Sequence, residues 1–181
     1  MTIVETSLPG VLLLTPTIHR DSRGAFMETF NLRQMAEAGL PTNWVQDNFS
    51  ISKKNVVRAI HYQITQPQGK LVRVVYGKVI DVAVDLRRGS PNFRKHVAVE
   101  LSGENGLALW IPQGFGHGFA VLSEQAGFSY KVTDYYSPAG ERTVLWNDPA
   151  LGIEWPVPAE DAIVSAKDQQ GKLLKDAEVF P

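Results

Sequence analysis

The chain reads as an all-β domain, a barrel or jelly roll. Between residues 56 and 146 apolar and polar residues alternate through one short segment after another, and no helix of convincing length interrupts them. Gly- and Pro-rich turns separate the segments. Such a series closes into a barrel or a double-sheet jelly roll, architectures that leave few strand edges open. No fixed-period repeat and no low-complexity tract competes with that reading.

The elements follow in order. Residues 3–7 predict a short strand, SLPG a turn, and VLLLT (11–15) a second strand, too short and too sharply bounded for a helix. In HRDSRGAFMETF a turn falls at Asp21, Ser22 and Gly24, and Phe26 and Phe30 flank Glu28. This loop either faces water, as isolated Arg and Glu side chains usually do, or presents Arg23 and Glu28 to a ligand. Asn31 suits the N-cap of LRQMAEAG, and Gly39 with Pro41 stops that helix after two turns. NWVQDNFSIS reads as a strand with Gln46 and Asn48 on one face, where two amides can bond either water or a ligand.

RAIHYQITQPQGK (58–70) is the polar centre. As a regular strand it puts Arg58, Ile60 and Tyr62 on one face and Ala59, His61 and Gln63 on the other. Bringing Arg58 beside His61 therefore requires a bulge or a barrel bend. Lys70 returns on the next strand, past the TQPQG turn. KLVRVVYGKVIDVAVDLRRGSPNF holds two strands divided at Tyr76–Gly77, with Asp81 and Asp85 on the face of Val79 and Ala83. FRKHVAVEL, GLALWIP, FAVLSE and AGFSYKVTDYYSP continue the series. After WNDPALGIEWP the pattern changes. Residues 161–181 predict an extension packed on the barrel of a single domain, with Asp168 in or beside a short helical segment.

Composition narrows the classes. The 181 residues, 44% hydrophobic and 20% charged, suit one ordered domain with a sizeable core. A net charge of -1 argues against wholesale attraction to nucleic acid or a membrane, yet permits a small cationic pocket for a phosphate compound. The absence of cysteine excludes disulfides and thiolate catalysis and fits a reducing compartment. No basic segment precedes an apolar core at the start, and no apolar stretch reaches a membrane-helix length of about 18 residues. The expectation is a cytoplasmic protein.

Two stretches carry the chemistry. WIPQGFGHGF (110–119) sets His117 among Gly114, Gly116 and Gly118, with Phe115 and Phe119 to cover it. His117 and His61 can meet inside a barrel from different strands. Two histidines raise the question of a metal, but catalytic metals usually take three protein ligands, and the paired HxH of metal-binding barrels is missing. A site without metal needs acid–base groups instead. His61 is the best base, since an ordinary imidazole titrates at about pH 6.5. Its carboxylate partner is Asp81, Asp85 or Asp168, and chain order does not choose among them. Tyr130, Lys131, Asp134, Tyr135 and Tyr136 form a second polar cluster, from which a tyrosine can donate a proton. Lys70 or Arg58 can stabilise an enolate oxygen or a phosphate. The set suits proton abstraction beside a carbonyl, or simple nucleotide binding.

DSRGAFMETF (21–30), QDNFSIS (46–52), VVRAIHYQ (56–63), QGKLVRVVYGKVIDVAVDLRRGSP (68–91), WIPQGFGHGF (110–119), YKVTDYYSP (130–138) and WNDPALGIEWP (146–156) together resemble the dTDP-4-dehydrorhamnose 3,5-epimerase family. They stand in the family's order and cover most of the chain. The resemblance implies a cupin-like jelly roll that works without metal or other cofactor on dTDP-4-dehydro-6-deoxy-D-glucose, in dTDP-rhamnose and lipopolysaccharide biosynthesis. Carried over, His61 is the base, Asp168 its partner, Tyr130 the acid, and Lys70 the group facing the C4 oxygen. Arg23, Phe26, Glu28, Gln46, Asn48, Arg58, His117 and Tyr136 match substrate-binding positions. Arg23 and Phe26 reach a neighbouring subunit's site in that family, which implies a homodimer. Asp81 takes a supporting role, paired to His117. The departure is Ala59–Ile60, where the family more usually has Gly–Leu; the added methyl implies an altered pocket shape. A relative inverting one carbon only, a non-catalytic nucleotide-sugar binder and a metal-dependent oxygenase are the alternatives.

Overall fold

The structure, a computed structural model, describes residues 1–181. Its strands are β1 (Thr2–Glu5), β2 (Leu12–Thr15), β3 (Ile18–Asp21), β4 (Gly24–Met27), β5 (Gln46–Lys53), β6 (Val56–Gln63) and β7 (Lys70–Tyr76). They continue as β8 (Lys78–Asp85), β9 (His96–Ser102), β10 (Ala108–Ile111), β11 (Phe115–Val121), β12 (Gln125–Val132), β13 (Glu141–Thr143) and β14 (Ile163–Val164). Two short α-helices, α1 (Leu32–Glu37) and α2 (Ala166–Gln169), and two 3-10 turns, Pro149–Leu151 and Leu174–Asp176, complete the regular elements. Asn31 caps α1 by accepting from the amides of Arg33 and Gln34, and Gly39, in the left-handed region at φ 73°, ends it.

Two sheets face each other as a jelly roll. One has the order β1-β2-β10-β7-β12-β5 and the other β13-β6-β11-β8-β9, with β14 added parallel to β6. The pairs between neighbours in both strand orders are antiparallel. The β3–β4 hairpin is a separate two-stranded ribbon. Between the sheets Val72, Val74, Val79, Ala83, Phe115, Phe119 and Phe128 are buried in one cluster. The expected alternation on β8 is observed: Val79, Asp81 and Ala83 point inward, and Val82 and Val84 join a second cluster on the outer face.

The tail covers that outer face. Trp146, Leu151, Val157, Leu174 and Ala177 pack against Val57, Ile60, Tyr62, Val82 and Val84. Each large side chain so buried contributes roughly 1.5–3 kcal/mol, enough together to order an otherwise irregular segment. Polar groups fix its path: Asp148 accepts from the Leu174 amide at 2.6 Å, and Tyr62 Oη donates to the Glu178 carbonyl at 2.6 Å. The other sheet is covered on its outer face only in part, where Met35, Leu40, Phe30 and Trp44 pack on Leu14, Leu71, Ala108 and Trp110. Phe49, Ile51 and Val75 stand exposed on it.

β6 departs from a regular strand. Against β11, His61 pairs with His117 but Arg58 pairs with Phe119, so β6 has one residue more than its partner over the interval. Ala59 and Ile60, joined by a cis peptide bond, both turn into the outer cluster. Arg58 and His61 consequently share the inner face, which the strict period-two assignment of Ile60 with Arg58 does not allow. Glycines on β11 make room for the irregularity. A Cβ at Gly118 would lie 2.4 Å from the Ala59 Cβ, and one at Gly116 would lie 2.4 Å from Ile60 Cγ2. The Ala59 methyl is thus on the far side of the sheet from the cavity, and the expected change of pocket shape has no direct contact behind it.

Candidate active site

Inside the barrel the two sheets leave a cavity of about 310 Å³ lined by polar side chains from both. β6 supplies Arg58, His61 and Gln63; β11 supplies His117; β7 begins with Lys70; β12 supplies Tyr130 and β5 supplies Asn48. His61 and Tyr130 therefore stand on opposing sheets around one space. Phe119 and Phe128, stacked with centroids 4.2 Å apart, form its apolar wall, and His117 stacks on Phe128 at 5.8 Å.

His61 is held by Asp168, whose Oδ1 lies 2.7 Å from its Nε2. Among the three carboxylates open to this role, the tail supplies the partner. Asp85 is engaged by Arg87 and Ser90, and Asp81 by His117. Ser165 caps α2 by accepting from the Asp168 amide at 3.1 Å, which fixes the carboxylate one turn from the cap. Burial opposes ionisation of Asp168, but hydrogen bonds from His61, Ser165 and the Ala59 amide prevail and hold its carboxyl below the usual range. An ionised Asp168 fixes Nε2 as a donor and leaves Nδ1 as the basic nitrogen.

Lys70 is buried, and its ammonium has one hydrogen bond, to the His61 carbonyl at 3.5 Å. Burial pulls its pKa down to about 8, against the opposing charges of Asp81 and Glu141. Tyr130 moves the other way: burial raises its pKa, Arg58 opposing, so the phenol keeps its proton. Arg58 Nε donates to Ser52 Oγ at 3.1 Å, which turns the guanidinium along the inner face.

Not every expected residue meets here. Arg23, Phe26, Glu28 and Gln46 do not line the cavity of their own chain. Arg23 and Phe26 project from the β3–β4 hairpin, with Arg23 paired to Asp21 and its side chain 88% exposed. Glu28 accepts from Asn31 and Gln34 beside α1. Gln46 bonds Asn48 and the Tyr136 amide, so it holds two lining residues in place. Gln63 and Gln68 tie the 134–137 loop similarly, through Ser137 and Asp134.

One charged lining residue escaped the sequence reading. Glu141, on β13 beside Gln63, accepts from the Tyr136 hydroxyl at 2.8 Å and pairs with Lys167 at 2.5 Å. Burial would raise its pKa, but these two bonds outweigh that and keep it ionised. It sits on a three-residue strand, where no alternation marks an inward side chain. No group of three His, Asp or Glu side chains is arranged to hold a metal ion.

Fold and cavity define a class: a jelly-roll isomerase with acid–base groups on two sides of a small polar pocket. A family profile described as dTDP-4-dehydrorhamnose 3,5-epimerase matches residues 5–176. The dTDP-4-dehydrorhamnose 3,5-epimerase of Pseudomonas aeruginosa is 52% identical over 183 residues, covering 100% of both chains. A dTDP-4-dehydrorhamnose 3-epimerase of Streptomyces niveus is 37% identical, covering 98% of this chain and 86% of its own. Among solved structures, the dTDP-6-deoxy-D-glucose-3,5-epimerase of Legionella pneumophila, in complex with dTDP-4-keto-L-rhamnose, superposes with a TM-score of 0.94 at 48% identity. The match covers 98% of this chain and 94% of that one. The chain belongs to the dTDP-4-dehydrorhamnose 3,5-epimerase family.

Proposed function

We propose that the protein converts dTDP-4-dehydro-6-deoxy-D-glucose to dTDP-4-dehydro-L-rhamnose by inverting C3 and C5. The observation that carries this reading is a base and an acid on opposing sheets of one cavity, with a buried lysine also lining it. Both carbons adjoin the C4 ketone, so each C–H is acidified by the carbonyl. His61 takes the proton and Asp168 stabilises the resulting imidazolium. The electron pair passes to the C4 oxygen as an enolate, which the Lys70 ammonium stabilises. Tyr130 returns a proton to the other face, and the centre is inverted. Arg58, Asn48, His117 and Tyr136 hold the nucleotide sugar.

NMR of the substrate in deuterated water tests this directly. Deuterium is expected at both C3 and C5. Label at C3 alone would make the protein a single-centre epimerase, and binding without exchange would make it a nucleotide-sugar binder.

The same reading makes the protein a cytoplasmic homodimer acting in dTDP-rhamnose and lipopolysaccharide biosynthesis. The exposed Phe49, Ile51 and Val75 support a second copy on the part of that sheet which the α1 segment leaves open, and the projecting hairpin supports donation of Arg23 and Phe26 to the partner's pocket. Sedimentation of Phe49→Glu/Ile51→Lys should show a monomer with weakened dTDP binding. An unchanged dimer would place the interface elsewhere. No helix is long and apolar enough to cross a membrane.

A further inference from the structure

Residues 133–140 link β12 to β13 without forming a regular element, and Tyr136 in that link lines the cavity. Residues 134–136 make no backbone–backbone hydrogen bond. Their polar groups must find other partners, and side chains supply them. Gln68 Nε2 donates to the Asp134 carbonyl at 2.9 Å, and Gln46 Oε1 accepts from the Tyr136 amide at 3.3 Å. Gln63 does more than either. Its Oε1 accepts from the Ser137 amide at 2.8 Å and its Nε2 donates to the Tyr135 carbonyl at 3.2 Å. One planar amide thus grips the link on both sides of Tyr136.

The other Nε2 proton goes to the Gln66 carbonyl at 2.7 Å. Gln66 stands in the left-handed region at φ 51°, in the turn that joins β6 to Lys70. Gln63 is therefore the side chain that ties two irregular segments of the rim together. It is 4% exposed, so these bonds are shielded from competing water. Although Gln63 lines the cavity, both of its amide protons are committed to backbone carbonyls, and no donor is left for a ligand. In a paired HxH arrangement the second histidine would stand at this position, two residues after His61. Here the position serves the backbone of the rim instead.

We propose that Gln63 is a positioning residue for ligand binding: its amide fixes Tyr136 in the cavity wall without itself touching the ligand. The assignment rests on Tyr136 being one of the groups that hold the nucleotide sugar.

Gln63→Met keeps the side chain long and neutral and removes all three bonds. The Kd for dTDP-glucose, which lacks the C4 ketone, should rise about tenfold, the order expected when buried hydrogen-bond partners are lost. KM should rise with it while kcat changes about threefold or less, the signature of lost uniform binding. In a Tyr136→Ala background the same replacement should change Kd about twofold or less, because the residue through which it acts is gone. An equal loss in both backgrounds, or a fall in kcat with KM unmoved, would overturn the proposal. A further measurement needs no variant that folds. In the wild-type protein saturated with dTDP-glucose, NMR should show cross-relaxation from the Gln63 Nε2 protons to residues 135–137 and none to the ligand. Cross-relaxation to the ligand would make Gln63 a direct contact and overturn the positioning role. The expected binding losses in a protein that exchanges neither sugar proton would support that role and sink the epimerase reading.

Discussion

His61→Ala should lower kcat by roughly 10²- to 10⁴-fold, the range for removing a general base. Deuterium should enter neither C3 nor C5 on the timescale at which the wild type labels both. The loss should be common to the two centres because His61 is the cavity histidine whose ring is paired with a tail carboxylate, whereas His117 is buried against Asp81. Titration with dTDP should give nearly unchanged affinity, since the nucleotide is assigned to Arg58, Asn48 and Tyr136. Stability should change little: His61 is partly exposed to the cavity, and its removal leaves Asp168 with the Ser165 and Ala59 bonds. Exchange that persists at one carbon would mean that a second base serves that centre, with His117 the first residue to test.

The sequence made the barrel legible because period-two alternation and turn residues are local signals, and β5 to β12 carry them. It also made one irregularity legible. Arg58 and His61 cannot share a face of a regular strand, and the observed register shift against β11 supplies the bulge that their common placement requires. The glycines of WIPQGFGHGF had a reason that periodicity does not reveal. Gly116 and Gly118 admit Ile60 and Ala59 across the strand pair, a contact between segments more than fifty residues apart.

The partner of His61 lay beyond pattern reasoning for a similar cause. Asp168 is 107 residues away, and it arrives only because the tail packs its Trp and Leu residues across the outer face. A local signal was present in Ser165-Ala-Lys-Asp168, a capping sequence that orients the fourth residue, but it names no recipient. Glu141 had no signal at all. The pairing of β13 with β6 alone turns it toward the cavity. Arg23 and Phe26 are the reverse case, since resemblance placed them at a site that their own chain does not bring them to.

Lys70→Met should lower kcat by roughly 10²- to 10³-fold, as for removal of one group that stabilises an oxyanion. Methionine keeps the length and apolar stem of this buried side chain, so the lost charge dominates. The wild-type pH profile gives a second signature. Burial depresses the Lys70 pKa to about 8, so the ammonium is complete below that value and is lost as pH rises through it. Activity should therefore fall on the alkaline side with a midpoint near 8, well below the range of an exposed lysine. Tyr130 cannot cause that limb, because burial raises its pKa away from neutrality. In Lys70→Met the residual activity should lack the limb altogether. A limb that survives the substitution would assign it to another group and leave the C4 oxygen to Arg58 or a bound water.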